Sequence, residues 1–261
     1  MLKVANLEKI YHQPGHQAPR QALAGVSLEI QRAESFGLVG ASGAGKTSLA
    51  KCIIGLERPS AGAIYFHGQE ISRLHPRERL ELWSKIQIVW QDPQVTLNPY
   101  RQIASILQEP LDNYRRGDRA ARQKKVSQLL DLVGLSASVA SAYPHELSGG
   151  QCQRVAIARA LALEPELLIC DEPLANLDTA RQVKIIQLLQ LLQKNSGISY
   201  LFISHDLGVV RALCSRMAVL YKGHLVESGN TAEIFRHPQH PYTQALIAQR
   251  LRLQKSRPER A

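Results

Sequence analysis

A glycine-rich run that begins at Gly40 constrains the fold of this chain more than any other feature of the sequence. The apolar residues 36–39 predict a short buried strand, and the segment Gly40–Thr47 (GASGAGKT) follows it directly. Its glycines allow backbone conformations that a side chain would forbid. Apolar residues then recur with the spacing of one helix face, at Leu49, Cys52, Ile53 and Leu56. Strand, glycine loop and helix in this order predict a phosphate-binding loop in an α/β fold.

The residue types in this loop suit the polyphosphate of a nucleotide. Backbone N–H groups and the positive end of a helix dipole face the phosphates in such loops. We expect the Lys46 ammonium to reach the β- and γ-phosphates and the Thr47 hydroxyl to ligate Mg²⁺. The alternative, a purely structural glycine turn, does not account for the Lys-Thr pair before a helical face. The residues expected to bind the nucleotide here are Gly40, Ser42, Gly43, Gly45, Lys46, Thr47 and Ser48.

An acidic pair follows a second apolar run. Residues Leu167–Cys170 are continuously apolar, as expected of a strand buried on both faces of a parallel sheet, and Asp171 and Glu172 come next. Ligands bind at the carboxyl ends of the strands in open α/β sheets. We expect Asp171 to hold Mg²⁺ through a water, and Glu172 to be the general base for an attacking water. Because many strands end in acidic loops, this pair is informative only together with the other motifs.

A third motif, Leu147–Gln151 (LSGGQ), ends 20 positions before Asp171 and opens a stretch of good helix formers, Gln151–Leu163. On the simplest interpretation, a serine and glycines at this place form a helix cap. A helix N-terminus that offers N–H groups and a serine hydroxyl is also a binding site for anions. Together, the glycine loop, the acidic pair and the LSGGQ run resemble the ATP-binding cassette, the engine subunit of ABC transporters.

The resemblance implies that ATP is hydrolysed between two cassettes in head-to-tail contact, because in this family the LSGGQ run covers the γ-phosphate held by the opposite subunit. The residues expected to act on the partner's nucleotide are Ser148, Gly149, Gly150 and Gln151. Asp178 matches the last residue of the family's dimer-interface loop, which is usually Ser-Ala-Leu-Asp. Ala175 and Asn176 depart from that form, and this leaves communication between the two sites open.

Three further residues take expected roles from the resemblance. Gln91 follows the predicted strand Ile86–Trp90, and a glutamine there completes the shell of Mg²⁺ and water and opens a loop that senses the membrane partner. His205 follows the predicted strand Ser199–Ser204, like the switch histidine that contacts the γ-phosphate; a solvated loop residue is the alternative. Tyr11 is placed like the aromatic residue that stacks on adenine. A strand-end tyrosine is the alternative there, because base stacking tolerates many sequences.

Other segments resemble one branch of the family, the importers of oligopeptides, dipeptides and nickel. These segments are Asn98-Pro99, Glu109-Pro110 and the tail His237–Leu246, which contains the run His-Pro-Tyr-Thr-x-Ala-Leu. No chemical mechanism known to us requires this tail run. We therefore expect it to form a packed C-terminal helix with a structural role.

Composition and charge narrow the classes of function. No stretch approaches the ~20 apolar residues needed to span a bilayer, and the start of the chain does not read as a secretory signal. The four cysteines lack metal-binding spacing, which predicts reduced thiols in a cytosolic protein. The net charge of +10 is concentrated in basic clusters within residues 115–125 and 250–260. A solvated face or attraction to anionic lipid headgroups explains these clusters. Nucleic acid is the alternative, although no recognisable nucleic-acid module accompanies them.

The expected fold class is α/β, a P-loop NTPase of the ABC cassette type with an edge antiparallel β-subdomain and an inserted α-helical subdomain. We expect a single ATP-binding domain over residues 1–261. Its nucleotide-binding core, together with the β-subdomain, would comprise residues 1–91 and 161–222. The helical subdomain would comprise residues 92–160, and a C-terminal appendage would comprise residues 223–261.

The expected function is that of an ATPase subunit that uses ATP and Mg²⁺ and is peripheral on the cytoplasmic face of the inner membrane. It would pair with an identical or paralogous cassette beneath two integral membrane permease subunits. A solute-binding protein would supply small peptides, nickel or a chelated metal, and no specific nucleic acid is expected as a partner.

Three alternatives come from other classes of function. DNA-repair and chromosome ATPases carry coiled coils or zinc modules that do not occur between Thr47 and Leu147. Translation-factor relatives carry two cassettes in one chain, whereas this sequence has one. An accessory ATPase of a non-transport complex, such as phosphonate breakdown, shares the tail run, and Asn98-Pro99 favours the transporter over it.

Overall fold

The computed structural model describes residues 1–12, 19–175 and 177–255. This part of the chain contains ten strands and ten α-helices. The strands are β1 (Leu2–Tyr11), β2 (Arg20–Ile30), β3 (Ser35–Val39), β4 (Ala61–Phe66), β5 (Gln69–Glu70), β6 (Ile86–Val89), β7 (Leu167–Asp171), β8 (Ser199–Ser204), β9 (Arg216–Tyr221) and β10 (His224–Asn230). The helices are α1 (Lys46–Ile53), α2 (Pro76–Lys85), α3 (Pro93–Thr96), α4 (Ile103–Asn113), α5 (Arg119–Leu132), α6 (Gly149–Leu161), α7 (Thr179–Ser196), α8 (Leu207–Leu213), α9 (Thr231–Arg236) and α10 (Pro241–Lys255).

The chain divides into two compact units. The first contains Met1–Leu74 together with the residues from Leu201 onward, and the second contains His75–Tyr200. In the first unit, four antiparallel strands follow the order β2-β1-β4-β5. Leu2 pairs with Ile30 and Val4 with Leu28, and these four side chains are buried. This sheet confirms the predicted antiparallel β-subdomain.

The first unit also holds the strand that leads into the phosphate-binding loop. All five residues of β3 are buried, and β3 runs parallel to β9 with Phe36 opposite Arg216. Helix α1 follows the loop and ends at Ile53, because Gly55 takes the left-handed conformation with φ +73°. The predicted helix face is therefore right at Leu49, Cys52 and Ile53, which are buried, and wrong at Leu56, which is 58% exposed.

A tight hairpin joins β9 to β10 in the same unit. Its two turn residues, Lys222 and Gly223, both have positive φ, as the two-residue turn of a twisted hairpin requires. The Gly223 N–H donates to the carbonyl oxygen of Ala44 in the phosphate-binding loop (3.1 Å), and the Gly223 carbonyl accepts from the Ala24 N–H in β2 (2.9 Å). The turn therefore bonds to both the loop and the antiparallel sheet.

The second unit combines a parallel strand pair with helices. Strands β6 and β7 pair with Ile86 opposite Leu167 and Val89 opposite Cys170, and every residue of β7 is buried. The sequence spacing of Val126, Leu129, Leu130 and Val133 predicts one face of a helix. The first three lie on α5 and Val133 directly follows it, and all four side chains are buried. Helix α6 begins two residues before the predicted Gln151, because Ser148 caps it. These helices confirm the predicted α-helical insert.

The basic cluster within residues 115–125 lies mostly in solvent. In the cluster at 115–125, Arg122 pairs with Asp112 and Lys125 with Glu164, while the other basic side chains are exposed. The side chains of residues 250–255, and residues 256–261, are outside the described part of the structure, so the second cluster stays a prediction. Among the described helices, none is both long and apolar enough to cross a membrane.

Burial predicts the reactivity of the thiols. All four cysteines are buried and none forms a disulfide, and burial raises the pKa of Cys52 to about 11 and that of Cys214 further. Because the thiolate is the reactive form, we expect no thiol to react with a disulfide reagent at pH 8 in the folded protein. All four should react after unfolding in guanidinium, as measured by absorbance. A thiol that reacts in the folded protein as fast as free cysteine would contradict this prediction.

Candidate active site

The backbone of the phosphate-binding loop lies against two carbonyl groups in the first unit. Gly43 and Gly45 have φ values of +78° and +110°, in the left-handed region that favours glycine. A Cβ at Gly45 would collide with the carbonyl oxygen of Ala22, and one at Gly40 with the carbonyl oxygen of Leu220. The two close approaches explain why glycine occupies positions 40 and 45.

Lys46 begins α1, and its side chain folds back over the loop. Its Nζ donates to the carbonyl oxygens of Gly40 (2.9 Å) and Ala41 (3.0 Å), and the residue is 5% exposed. Of the next two residues, Thr47 is exposed and Ser48 is half-buried. The start of α1 thus combines an ammonium, two hydroxyls and helix N–H groups, which are the groups that bind phosphate.

Tyr11 belongs to a polar cluster beside this helix. Its hydroxyl donates to the Glu57 carboxylate and lies 3.1 Å from the Ser48 hydroxyl oxygen. The Lys9 ammonium lies 4.9 Å from the Tyr11 ring centroid and 3.3 Å from a Glu57 carboxylate oxygen. No sequence motif marks Lys9 or Glu57. They hold the Tyr11 ring in place next to α1.

Burial alone would raise the pKa of Glu57. The hydrogen bonds from Tyr11 and Lys9, together with the charges of Lys9 and Lys51, outweigh it and lower that pKa below its usual value. Burial, followed by the bond to Glu57, raises the pKa of the Tyr11 hydroxyl. At neutral pH the cluster therefore contains a charged carboxylate and a protonated phenol.

His205 follows β8 in the first unit and is exposed. The next residue, Asp206, caps α8 by accepting a hydrogen bond from the Gly208 N–H (2.8 Å). The Ser204 hydroxyl oxygen accepts from the Asp206 N–H (2.9 Å). These bonds fix the backbone on both sides of His205.

In the second unit, Asp171 and Glu172 stand at the end of β7. Asp171 is its last residue and is 4% exposed. Glu172 is half-buried and has φ +48°, an uncommon backbone conformation for a residue that is not glycine. Gln91 lies beyond the end of the adjacent strand β6 and is exposed. Because β6 and β7 are parallel neighbours, Gln91 and the acidic pair come from the same edge of the sheet.

The LSGGQ run begins α6. The Ser148 hydroxyl oxygen accepts from the Gln151 N–H (3.3 Å), and the Gln151 side chain accepts from the Ser148 N–H (2.9 Å). This capping box confirms the helix-cap interpretation. Ser148 itself is exposed. Gly149 and Gly150 fill the first two helical positions, where N–H groups lack partners within the helix. The anion-site interpretation stays a prediction.

Asp178 is also a helix cap, at the start of α7. Its Oδ1 accepts from the Arg181 N–H (2.9 Å), and its Oδ2 lies 3.0 Å from Arg181 Nε. A Cβ at Gly150 would lie 3.1 Å from the Arg181 side chain. Arg181 thus contacts both the LSGGQ run and the predicted dimer-interface loop, although no sequence motif marks it. Asn176, one of the two departures in that loop, lies outside the described residues.

Comparison with known proteins identifies the family. Residues 23–175 match the family described as ABC transporter, and this range contains the phosphate-binding loop, the LSGGQ run and the acidic pair. The chain belongs to this family. As an ABC transporter ATP-binding domain, it is an ATPase. Residues 226–260 match a second family, described as the oligopeptide/dipeptide transporter C-terminal region.

Several proteins similar to this chain are named as ATP-binding proteins of peptide transport. A putative peptide import ATP-binding protein of Brucella abortus is 45% identical over 90% of this chain and 71% of its own length. The oligopeptide transport ATP-binding protein OppF of Escherichia coli is 44% identical over 87% of this chain and 69% of its own length.

Solved ABC cassettes share the fold. The dimeric post-hydrolysis structure of the cassette MJ0796, bound to ADP and Pi, aligns with a TM-score of 0.81 and 32% identity over 88% of this chain and 99% of that chain. The cassette cbiO1 of Clostridium perfringens aligns with a TM-score of 0.80 and 29% identity over 97% and 94%. The predicted fold class and family are confirmed.

The Tyr11 cluster predicts a pH-dependent contribution to stability. Since folding lowers the pKa of Glu57, the charged carboxylate stabilises the fold above the usual carboxyl pKa, and this contribution is lost as the pH falls through the folded-state value. Glu57→Gln should therefore be less stable than the parent at pH 7. The difference should shrink towards pH 3 in guanidinium unfolding. A difference that grows as the pH falls would contradict the proposed charge of Glu57.

Proposed function

We propose that this chain is the ATP-hydrolysing subunit of an importer of small peptides, peripheral on the cytoplasmic face of the cell membrane. The observation that carries the proposal is the presence of two matches in one chain, an ABC transporter match and an oligopeptide/dipeptide transporter C-terminal match. The relatives named above are peptide import and oligopeptide transport proteins. Those names favour peptides over nickel or a chelated metal as the cargo.

The first unit would bind the nucleotide. The adenine stacks on Tyr11, whose ring is held by Glu57 and Lys9, and the phosphates rest on the loop Gly40–Ser48. Lys46, which bonds to loop carbonyl groups in this structure, turns to the β- and γ-phosphates. His205 contacts the γ-phosphate from the end of β8.

The residues expected to hold Mg²⁺ fit that ion chemically. Thr47 supplies a hydroxyl oxygen, Asp171 a carboxylate oxygen and Gln91 an amide oxygen, and Mg²⁺ prefers oxygen ligands. When bound with ATP, Mg²⁺ neutralises charge on the β- and γ-phosphates.

Glu172 would accept the proton of the attacking water. Its carboxylate directly follows Asp171, so it would stand beside the γ-phosphate. The positive φ of Glu172 supports this role, because uncommon backbone conformations cluster at active sites.

A second cassette, identical or paralogous, would complete the site. The N–H groups and hydroxyl at the start of α6 point to the γ-phosphate of the partner, and the loop that ends at Asp178 lies at the dimer contact. A solved relative is dimeric with ADP and Pi, which supports this arrangement. Two integral membrane permease subunits and a solute-binding protein would complete the importer. In the proposed organisation of one domain, residues 92–160 form the helical subdomain that carries the LSGGQ run.

Replacing the general base should trap the dimer. Glu172→Gln keeps the shape of the side chain but cannot accept a proton, so turnover should fall by about a hundredfold or more. ATP binding should persist, and light scattering with Mg-ATP should show a dimer. The control is Asp131→Asn, which changes an exposed acid of the same unit and should behave like the parent. A Glu172→Gln variant that stays monomeric and hydrolyses ATP at the parent rate would refute the assignment.

Ser148 separates the roles of the two subunits. Ser148→Asp keeps a good helix cap and places a negative charge against the partner's γ-phosphate. It should leave ATP affinity of the monomer unchanged and abolish turnover, whereas Lys46→Ala should abolish monomer affinity. Equal loss of monomer affinity in both variants would show that Ser148 does not act on the partner's nucleotide.

The importer assignment predicts which partner stimulates the ATPase. In membranes reconstituted with the permease subunits, a binding protein loaded with a small peptide should raise ATPase activity above the low basal rate of the lone subunit. Stimulation by a nickel-loaded binding protein instead would reassign the cargo. DNA and RNA should give no comparable rise at physiological salt, where non-specific phosphate contacts are weak. Strong stimulation of the lone subunit by nucleic acid would overturn the importer proposal.

A further inference from the structure

The C-terminal region reaches the phosphate-binding loop within the first unit. Tyr242 lies in the first turn of α10, and its hydroxyl oxygen accepts a hydrogen bond from the Ala41 N–H, with 2.9 Å between the nitrogen and the oxygen. Ala41 is the second residue of the GASGAGKT loop. A residue of the tail run is thus in direct contact with the loop expected to carry the nucleotide phosphates.

The Tyr242 ring is held against the sheet. It stacks on the ring of Tyr221, with centroids 4.1 Å apart and an interplanar angle of 29°. Tyr221 is the last residue of β9, which is paired with β3, the strand that leads into the loop. Stacking of the two rings therefore restricts the position of the Tyr242 hydroxyl beside Ala41.

The chain before α10 is anchored as well. Both oxygens of the Glu227 carboxylate accept backbone N–H groups, from Gln239 (2.9 Å) and His240 (3.1 Å). The His240 Nδ1 in turn accepts from the Tyr242 N–H (3.1 Å). Although burial would raise the pKa of Glu227, these bonds and the contact with Thr243 lower it, so the anchoring carboxylate is charged at neutral pH. The first turn of α10 is thus tied to β10.

The contact continues from Ala41 to the lysine of the loop. The carbonyl oxygen of Ala41 accepts from Lys46 Nζ (3.0 Å) and from the Ala44 N–H (3.2 Å). Tyr242 therefore holds one side of Ala41 while Lys46 and Ala44 hold the other. A shift of Ala41 would change the positions of all these groups.

We propose that Tyr242 is a positioning residue of the nucleotide site. Its hydroxyl fixes the backbone of Ala41 and, through Ala41, sets the conformation of the loop and of Lys46 before the phosphates bind. The proposal rests on the function proposed above, that this loop binds ATP. It gives the tail run a chemical role beyond the packed helix expected from the sequence.

Two matched variants of the full chain test the role of the hydroxyl. Tyr242→Phe keeps the ring and its stacking but removes the acceptor. Tyr221→Phe removes a hydroxyl from the other ring of the stack, and that hydroxyl makes no hydrogen bond among the described residues. Tyr242→Phe should raise the Kd for Mg-ATP, and KM with it, about three- to tenfold. This is the change in an equilibrium constant that the loss of one hydrogen bond typically causes. The kcat should stay within about twofold, and Tyr221→Phe should match the parent.

Two results would overturn the proposal. One is a Kd for Mg-ATP in Tyr242→Phe that equals that of the parent. The other is an equal rise in Tyr221→Phe, which would assign the effect to the packing of the rings. The split between KM and kcat separates loop positioning from a general loss of folded protein, because unfolding would lower the apparent kcat.

Hydrogen exchange tests the contact in the unmodified chain. The Ala41 amide should exchange at least about tenfold more slowly than an unprotected amide, as measured by NMR without nucleotide, and Tyr242→Phe should remove this protection. An unprotected Ala41 amide in the parent would overturn the proposal. This readout does not depend on ATP. A parent that shows the protection but does not bind Mg-ATP would therefore refute the proposed function and leave the Tyr242 contact established.

Discussion

Contact between backbones at the phosphate-binding loop is the constraint on which the rest of this structure depends. The carbonyl groups of Ala22 and Leu220 approach Gly45 and Gly40 so closely that no Cβ fits. Strands β2 and β9 must therefore keep their positions for the loop to keep its shape, and the loop positions Lys46 at the start of α1. The loop also bonds to chain as far away as Tyr242, 201 residues later.

Patterns within short stretches of sequence predict much of the fold. Continuous apolar runs predict β3, β7 and β8, because a strand covered on both faces buries every side chain. The spacing of apolar residues predicts the buried face of α5. Polar residues at helix starts are informative in two ways, since Ser148 and Asp178 cap helices and also lie in motifs of the ABC family. Cap and binding site are thus not competing interpretations, because both use the N–H groups of a helix N-terminus.

Contacts between distant residues are what the sequence could not predict. The apolar spacing that predicts α1 continues to Leu56, but Gly55 ends the helix before that residue. The spacing alone does not show whether the apolar pattern or the glycine determines the end of the helix. Glu57 supports Tyr11 from 46 residues away, and no local pattern marks it. Arg181 and Tyr242 likewise gain their roles only when folding brings them to other motifs. The residues expected to react are recognisable in the sequence, whereas the residues packed against them are recognisable only in the structure.

The hairpin turn at Lys222 and Gly223 has a consequence for how chains of this kind can diverge. Surface turns usually accept insertions, because little depends on their length. Here the Gly223 N–H and carbonyl bond to Ala44 and Ala24, so an added residue would pull the turn away from the phosphate-binding loop. Natural variation in length should accordingly be found elsewhere in this unit, and proteins that keep the loop should keep a two-residue turn at this place.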